Sequence, residues 1–112
     1  MKKLEEILIK FNDLFEIKSK NKEFKNKNGI YIRTLMLFYS YCKIPINKRS
    51  PQQAYTYLKK NLNCNLNNAA LSRNNNVLVK LGLISLIENK NNKREKIVKI
   101  TDKGIQFSRL FE

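Results

Sequence analysis

The sequence contains no histidine, only two cysteines and only two aspartates. Without histidine, and with Cys42 and Cys64 far apart and in no C-x-x-C arrangement, a zinc site has no ligand set. The same shortage argues against catalysis. There is no imidazole base, no Gly-rich phosphate loop and no paired carboxylate pattern, since the glutamates cluster toward the ends. No enzyme activity, metal or cofactor is therefore expected. The cysteines are expected to be reduced, partly buried thiols, because nothing points to an oxidising compartment. A long apolar run is also lacking. The longest, Ile30 to Cys42, is interrupted by Arg33 and is too short to span a bilayer. The start, MKKLEEIL, puts acids where a signal peptide needs an apolar core. A cytoplasmic protein with no membrane association is the expectation.

The most informative absence is of acids from one window. Between Glu23 and Glu88 there is no Asp or Glu, while the same window holds ten basic residues, among them Arg33, Arg49, Lys59, Arg73 and Lys80. The first 17 residues differ, with Lys2, Lys3 and Lys10 against Glu5, Glu6, Asp13 and Glu16. Of the net +14, then, almost none sits at the N-terminus and much sits in the middle. AT-rich coding explains Lys over Arg, but not acids vanishing from one window only. A polyanion partner is the physical reading.

At 112 residues, 42% apolar and 29% charged, the chain fits one globular domain with one core. Residues 4–17 carry Leu4, Ile7, Leu8, Phe11, Leu14 and Phe15 at spacings of three and four, an apolar helical stripe opposite Lys3, Glu5, Glu6, Lys10, Asp13 and Glu16. The stripe serves either its own domain or the same helix of a second subunit. Residues 18–28 have no period and read as a connector. Residues 29–112 read as the folded core. It begins with a helix over 29–43 that is apolar nearly all round and belongs at the centre. Ile44-Pro45-Ile46 ends it, and Ile46 is placed to begin a short strand.

Ser50-Pro51-Gln52-Gln53 reads as a capping box with proline at the first helical position. That helix runs to about Asn61, with Ala54, Tyr57, Leu58 and Leu62 inward. After the turn Asn63-Cys64-Asn65, Asn67 is an N-cap and Leu66 can staple onto Leu71. Two helices joined by a tight polar turn make a helix-turn-helix. On the second, Leu71, Leu78 and Leu81 mark the buried side, and Asn75 falls oddly beside them. Opposite lie Ala69, Ser72, Arg73, Asn76 and Lys80. Arginine can pair bidentately with guanine, asparagine with adenine, and alanine can meet a thymine methyl. Gly82 ends the helix. Ile84–Ile87 and Ile97–Ile100 read as paired strands around a basic turn carrying Lys90, Lys93 and Arg94. A second helix starts at Thr101 and runs to Glu112.

Leu71-Ser72-Arg73, then Leu78-Val79-Lys80-Leu81-Gly82-Leu83-Ile84, then the basic wing, then Ile100-Thr101-Asp102-Lys103-Gly104 resembles the MarR family of winged helix-turn-helix regulators. Compact phage, plasmid and archaeal-virus winged helices share the pattern. The resemblance covers about residues 50–107. It implies a mainly α fold with a small β-hairpin wing, and a homodimer bound to a pseudo-palindromic site. It implies recognition contacts from Ser72, Arg73 and Asn76 and a wing contact from Arg94. The sequence departs from the family at the wing, where Asn92 stands in place of an aspartate. It departs again at Asn74-Asn75-Asn76, which interrupt the usual apolar inner positions.

The expected function is sequence-specific binding of double-stranded DNA, as a transcriptional regulator. The recognition helix would be about 68–81, contributing Asn68, Ala69, Ser72, Arg73, Asn76 and Lys80. The wing, 84–100, would contribute Lys90, Lys93 and Arg94 at the minor groove or phosphates. Further phosphate contacts are expected from Arg49, Ser50, Gln52 and Lys59. The dimer is expected through 4–17 and 105–111, and no effector is specified. The alternatives are a replication or partition DNA binder with the same module, and a winged helix used for protein or RNA interaction.

Overall fold

The structure, a computed structural model, describes residues 5–10, 29–91 and 96–109, with side chains from Ile32 onward in the second segment. In chain order these form a helical segment α1 (5–10), α2 (Gly29–Lys43), a 3-10 turn (Ile46–Lys48), α3 (Pro51–Asn61), α4 (Asn68–Lys80), β1 (Ile84–Glu88), β2 (Lys96–Ile100) and α5 (Asp102–Ser108). The connector 18–28, most of the N-terminal stripe (Leu4, Phe11, Leu14, Phe15), the wing residues Asn92, Lys93 and Arg94, and the end of the closing helix, Leu110 to Glu112, lie outside the described residues. No helix among the described residues is long and apolar enough to cross a membrane.

Helix α2 is the axis. Met36, Leu37, Phe38, Tyr39 and Tyr41 are completely buried, as expected of a helix apolar on all sides. Around it pack Leu8 of α1, Ala54 and Leu58 of α3, Leu71 and Leu78 of α4, and Ile84, Val98 and Ile100 of the hairpin. The ring of Phe107 in α5 stacks on Phe38, with centroids 5.4 Å apart. Phe107 is thus partly buried against the core of its own domain.

Each start and stop has a local cause. Ser50 caps α3 by accepting from the Gln53 N–H at 3.2 Å. Asn67 caps α4 by accepting from Ala70 N–H, and Thr101 caps α5 by accepting from Gly104 N–H. Asn63, in the turn of the helix-turn-helix, has φ 51°, a left-handed setting that asparagine tolerates. At the end of α4, Gly82 has φ 77°; its N–H bonds the Val79 carbonyl, and the Leu83 N–H bonds the Leu78 carbonyl. That is a Schellman ending, and the buried Leu78 and Leu83 supply its apolar component.

The hairpin is antiparallel and in register from Ile84 opposite Ile100 to Glu88 opposite Lys96, a cross-strand pair of opposite charge. Its root is locked by Gly104. A β-carbon there would collide with the Leu83 carbonyl oxygen and the Ile100 side chain, so only glycine lets α5 start so close to the strands. This gives the ITDKG motif its physical content.

Three expectations fail. Ile46 does not begin a strand. It sits in the 3-10 turn, 78% exposed, and among the described residues the backbone link from this stretch to the hairpin is the Val98 N–H to the Arg49 carbonyl at 2.9 Å. Pro45 precedes that turn and has no N–H to give a ladder. Leu81 is 50% exposed, because the Schellman turn carries the chain away before the stripe closes. Glu5, assigned to the charged outer face, turns inward. Its carboxylate accepts from the Tyr57 hydroxyl at 2.6 Å and from the Tyr39 hydroxyl at 3.1 Å.

Candidate nucleic-acid interface

The second helix of the helix-turn-helix presents a sharply divided surface. Ala70, Leu71, Asn74, Asn75 and Leu78 are buried. Asn68, Ala69, Ser72, Arg73, Asn76 and Lys80 are all exposed. The whole expected groove-reading set therefore shares the solvent side of α4. It offers amides, a hydroxyl, a guanidinium, an ammonium and a small methyl, with no acid among them. That inventory can donate to guanine and pair with adenine while neutralising phosphate.

The inner face holds what sequence periodicity could not explain. Asn75 is 5% exposed and accepts a hydrogen bond from the Tyr41 hydroxyl at 2.6 Å. Asn74 is 7% exposed; it accepts from the Thr34 hydroxyl at 2.6 Å and donates to the Ala70 carbonyl at 2.8 Å. The asparagines do not interrupt the core. They are its polar part, bonded to α2 through their carbonyl oxygens. Burial pushes the Tyr41 phenol far above its ordinary range, with the Asn75 bond a smaller opposing effect, so it stays a neutral donor. The signal was present in the sequence as Thr34 and Tyr41, two turns apart on one face of a largely apolar helix.

The expected phosphate contacts divide. Gln52 and Lys59 are exposed on α3 and Lys90 on the wing. Ser50 is 4% exposed, with its hydroxyl committed to capping α3, so it has no surface to offer a phosphate. Arg49 is half-buried. Its Nε donates to the carbonyls of Tyr41 at 2.7 Å and Ile44 at 3.1 Å, closing the C-terminal end of α2, where a cation is favoured. Its role is structural first. Lys93 and Arg94 lie outside the described residues.

A further basic grouping forms only on folding. Lys43, Lys48 and Lys60 line a shallow depression of about 200 Å³ between the end of α2 and α3, with Gln53 and Tyr57. Lys43 also lies 5.4 Å from the centre of the Tyr39 ring. Among the described residues, no group of His, Cys, Asp or Glu could hold a metal ion. Both cysteines are free thiols, and burial pushes Cys42 up to about 11 despite the neighbouring Arg49 and Lys43 cations.

No protein-family model and no curated protein matches the sequence. Solved structures do match. MarR superposes with a TM-score of 0.56 at 15% identity, over 98% of this chain and 71% of that one. Streptococcus pneumoniae FabT in complex with DNA superposes with a TM-score of 0.54 at 18% identity, over 96% of this chain and 68% of that one. At such identities the likeness is one of fold. The helix-turn-helix of α3 and α4, the β1–β2 wing and the glycine-locked α5 make this chain a MarR-like winged helix.

Proposed function

We propose that this chain is a sequence-specific double-stranded DNA-binding protein, a transcriptional regulator acting as a homodimer. In this reading α4 enters the major groove, where Asn68, Ala69, Ser72, Arg73, Asn76 and Lys80 meet bases and flanking phosphates. The wing lies at the minor groove or its phosphates through Lys90, Lys93 and Arg94, and Gln52 and Lys59 hold phosphates from α3. Arg49 and Ser50 are left out because the fold uses both. The observation that carries the reading is the exposed, acid-free outer face of α4 in a winged helix. One structural neighbour with this fold, FabT, is seen in complex with DNA. The helical stripe in 4–17, assisted by 105–111, is the proposed dimer contact, and no small-molecule effector is assigned.

The test is selection of bound fragments from random and genomic DNA, followed by affinity measurements at several salt concentrations. A few enriched, related sites and a log–log salt slope near −0.9 per neutralised phosphate are expected. Arg73→Ala should flatten preference at one position of the site by about 1–3 kcal/mol, whereas Arg94→Ala should weaken all sequences about equally. Binding with no enriched sequence and no salt dependence would remove the reading. Sedimentation at tens of micromolar reads the dimer separately.

A further inference from the structure

We propose that Asn74 and Asn75 are positioning residues for base recognition: through Thr34 and Tyr41 they fix the rotational setting of α4, and so decide which side chains face the groove. The proposal rests on the DNA-binding reading for its consequence, but not for its geometry.

The apolar contacts of α4 set its rotation only coarsely. Ala70, Leu71 and Leu78 are buried, but Leu81 lies half exposed, so the stripe covers only about two and a half turns. Aliphatic side chains also tolerate some tilt and roll, because dispersion contacts are non-directional. Hydrogen bonds inside a dry contact are not tolerant. An unmade buried bond strands a donor or acceptor at a cost well above the value of the bond itself.

The two bonds here are arranged to remove the remaining freedom. Their anchors on α2, Thr34 and Tyr41, are seven residues apart, on one face and about 10 Å along the axis. Their partners on α4 are adjacent residues, about 100° apart around it. Rolling α4 either way lengthens at least one bond. A roll that carried Asn76 inward would satisfy the same donors, but it would bring Leu71 and Leu78 toward water. The opposite roll would bury the Arg73 guanidinium. The apolar stripe thus excludes large rotations and the two amides exclude small ones. Ser72, Arg73 and Asn76 flank Asn74 and Asn75 in sequence, so any roll of the inner pair moves the outer set with it. A bidentate contact to a base edge requires that setting to be held.

The test pairs Tyr41→Phe with Asn75→Leu, replacing both partners by apolar groups of similar shape, which often leaves stability nearly unchanged. Tyr41→Phe alone, which removes only the hydroxyl and leaves the Asn75 carbonyl oxygen without its donor, is the second variant if the double variant folds poorly. Amide NMR spectra of the free protein come first. One sharp signal set for residues 68–80 in the parent, and broadened or shifted signals in the variants, is the expected result. Unchanged shifts and line widths in a folded variant would overturn the proposal, whatever the DNA result.

Affinity for a selected duplex and for a random duplex follows. The selected-to-random ratio is expected to fall about tenfold, with affinity for random DNA and the salt slope unchanged. An equal loss on both duplexes, or no loss on either, would reduce the pair to a core feature and overturn the positioning role. A parent protein with no sequence preference would remove the DNA reading, while the NMR measurement would still decide the geometry.

Discussion

The two candidate DNA-facing elements are held in opposite ways. Helix α4 is fixed along its length, by the Asn67 cap at one end, the Schellman turn at Gly82 at the other, and the Asn74 and Asn75 bonds to α2 between them. Among the described residues, the wing is held through its root and the middle of β2. Ile84, Val98 and Ile100 are buried, but the strand residues Ser85 to Glu88 are all exposed. Behind the hairpin, a cleft of about 490 Å³ runs between Cys42, Ile46, Ile87, Ile97 and Ile105. The difference suits a division of labour: a rigid element to discriminate bases, and an anchored but projecting one to contact a smoother charged surface.

That contrast can be broken from either side, and alkaline pH should break the helix side most completely. Tyr41 holds Asn75, and Tyr39 and Tyr57 hold Glu5. Burial raises all three phenols, and for Tyr39 and Tyr57 the Glu5 carboxylate adds to it; Tyr39 is pushed up to about 12. A phenol raised above its ordinary value of 10.0 gives stability that is fully present below pH 10 and lost as pH climbs through its folded value. Hydrogen exchange at rising pH, corrected for intrinsic rates, should show protection lost in α2 and α4 before the hairpin root. Simultaneous loss would mean that the two elements are not held independently.

Next in size is Gly104→Ala, which drives a methyl into the Leu83 carbonyl oxygen and Ile100. Destabilisation of about 3 kcal/mol is expected in thermal melts, the upper end for overpacking a close contact. Arg49→Ala should cost about 2 kcal/mol, the worth of charge-assisted bonds to the end of α2. If Arg49 were mainly a phosphate contact, the same variant would keep its melting temperature and lose DNA affinity instead.

The architecture was legible because its signals are local. Ser50-Pro51, Asn67, Gly82 and Thr101 mark boundaries through the bonds they make within a few residues, and the structure uses each as the sequence implied. The outer face of α4 was legible for a related reason: 3.6-residue periodicity alone places Ser72, Arg73 and Asn76 together. The settings of Asn75 and Glu5, by contrast, depend on partners distant in sequence. Asn75 looked misplaced until Tyr41, 34 residues away, supplied a donor. Glu5 looked solvated until Tyr57, 52 residues away, reached it. Arg49 carries no mark in the sequence of the two α2 carbonyls that its Nε meets. Buried polar pairs have no period, so pattern reading assigns their members to the surface or calls them anomalies.

The smallest effect expected on stability is also the sharpest probe of the wing. Lys90 is exposed beyond the last residue of β1, past the stretch that the root secures. Its side chain is removed from the core residues, so Lys90→Ala should change stability by less than about 0.5 kcal/mol. If the wing meets phosphates, the same substitution should lower affinity for selected and random duplexes by the same factor and reduce the salt slope by about 0.9. Arg73→Ala, on the fixed helix, should instead lose affinity mainly on the selected duplex. A wing that also read bases would show itself by an unequal loss in Lys90→Ala. The contrast between a helix that specifies and a wing that anchors would then give way to two readers, one of them held through its root and the middle of β2.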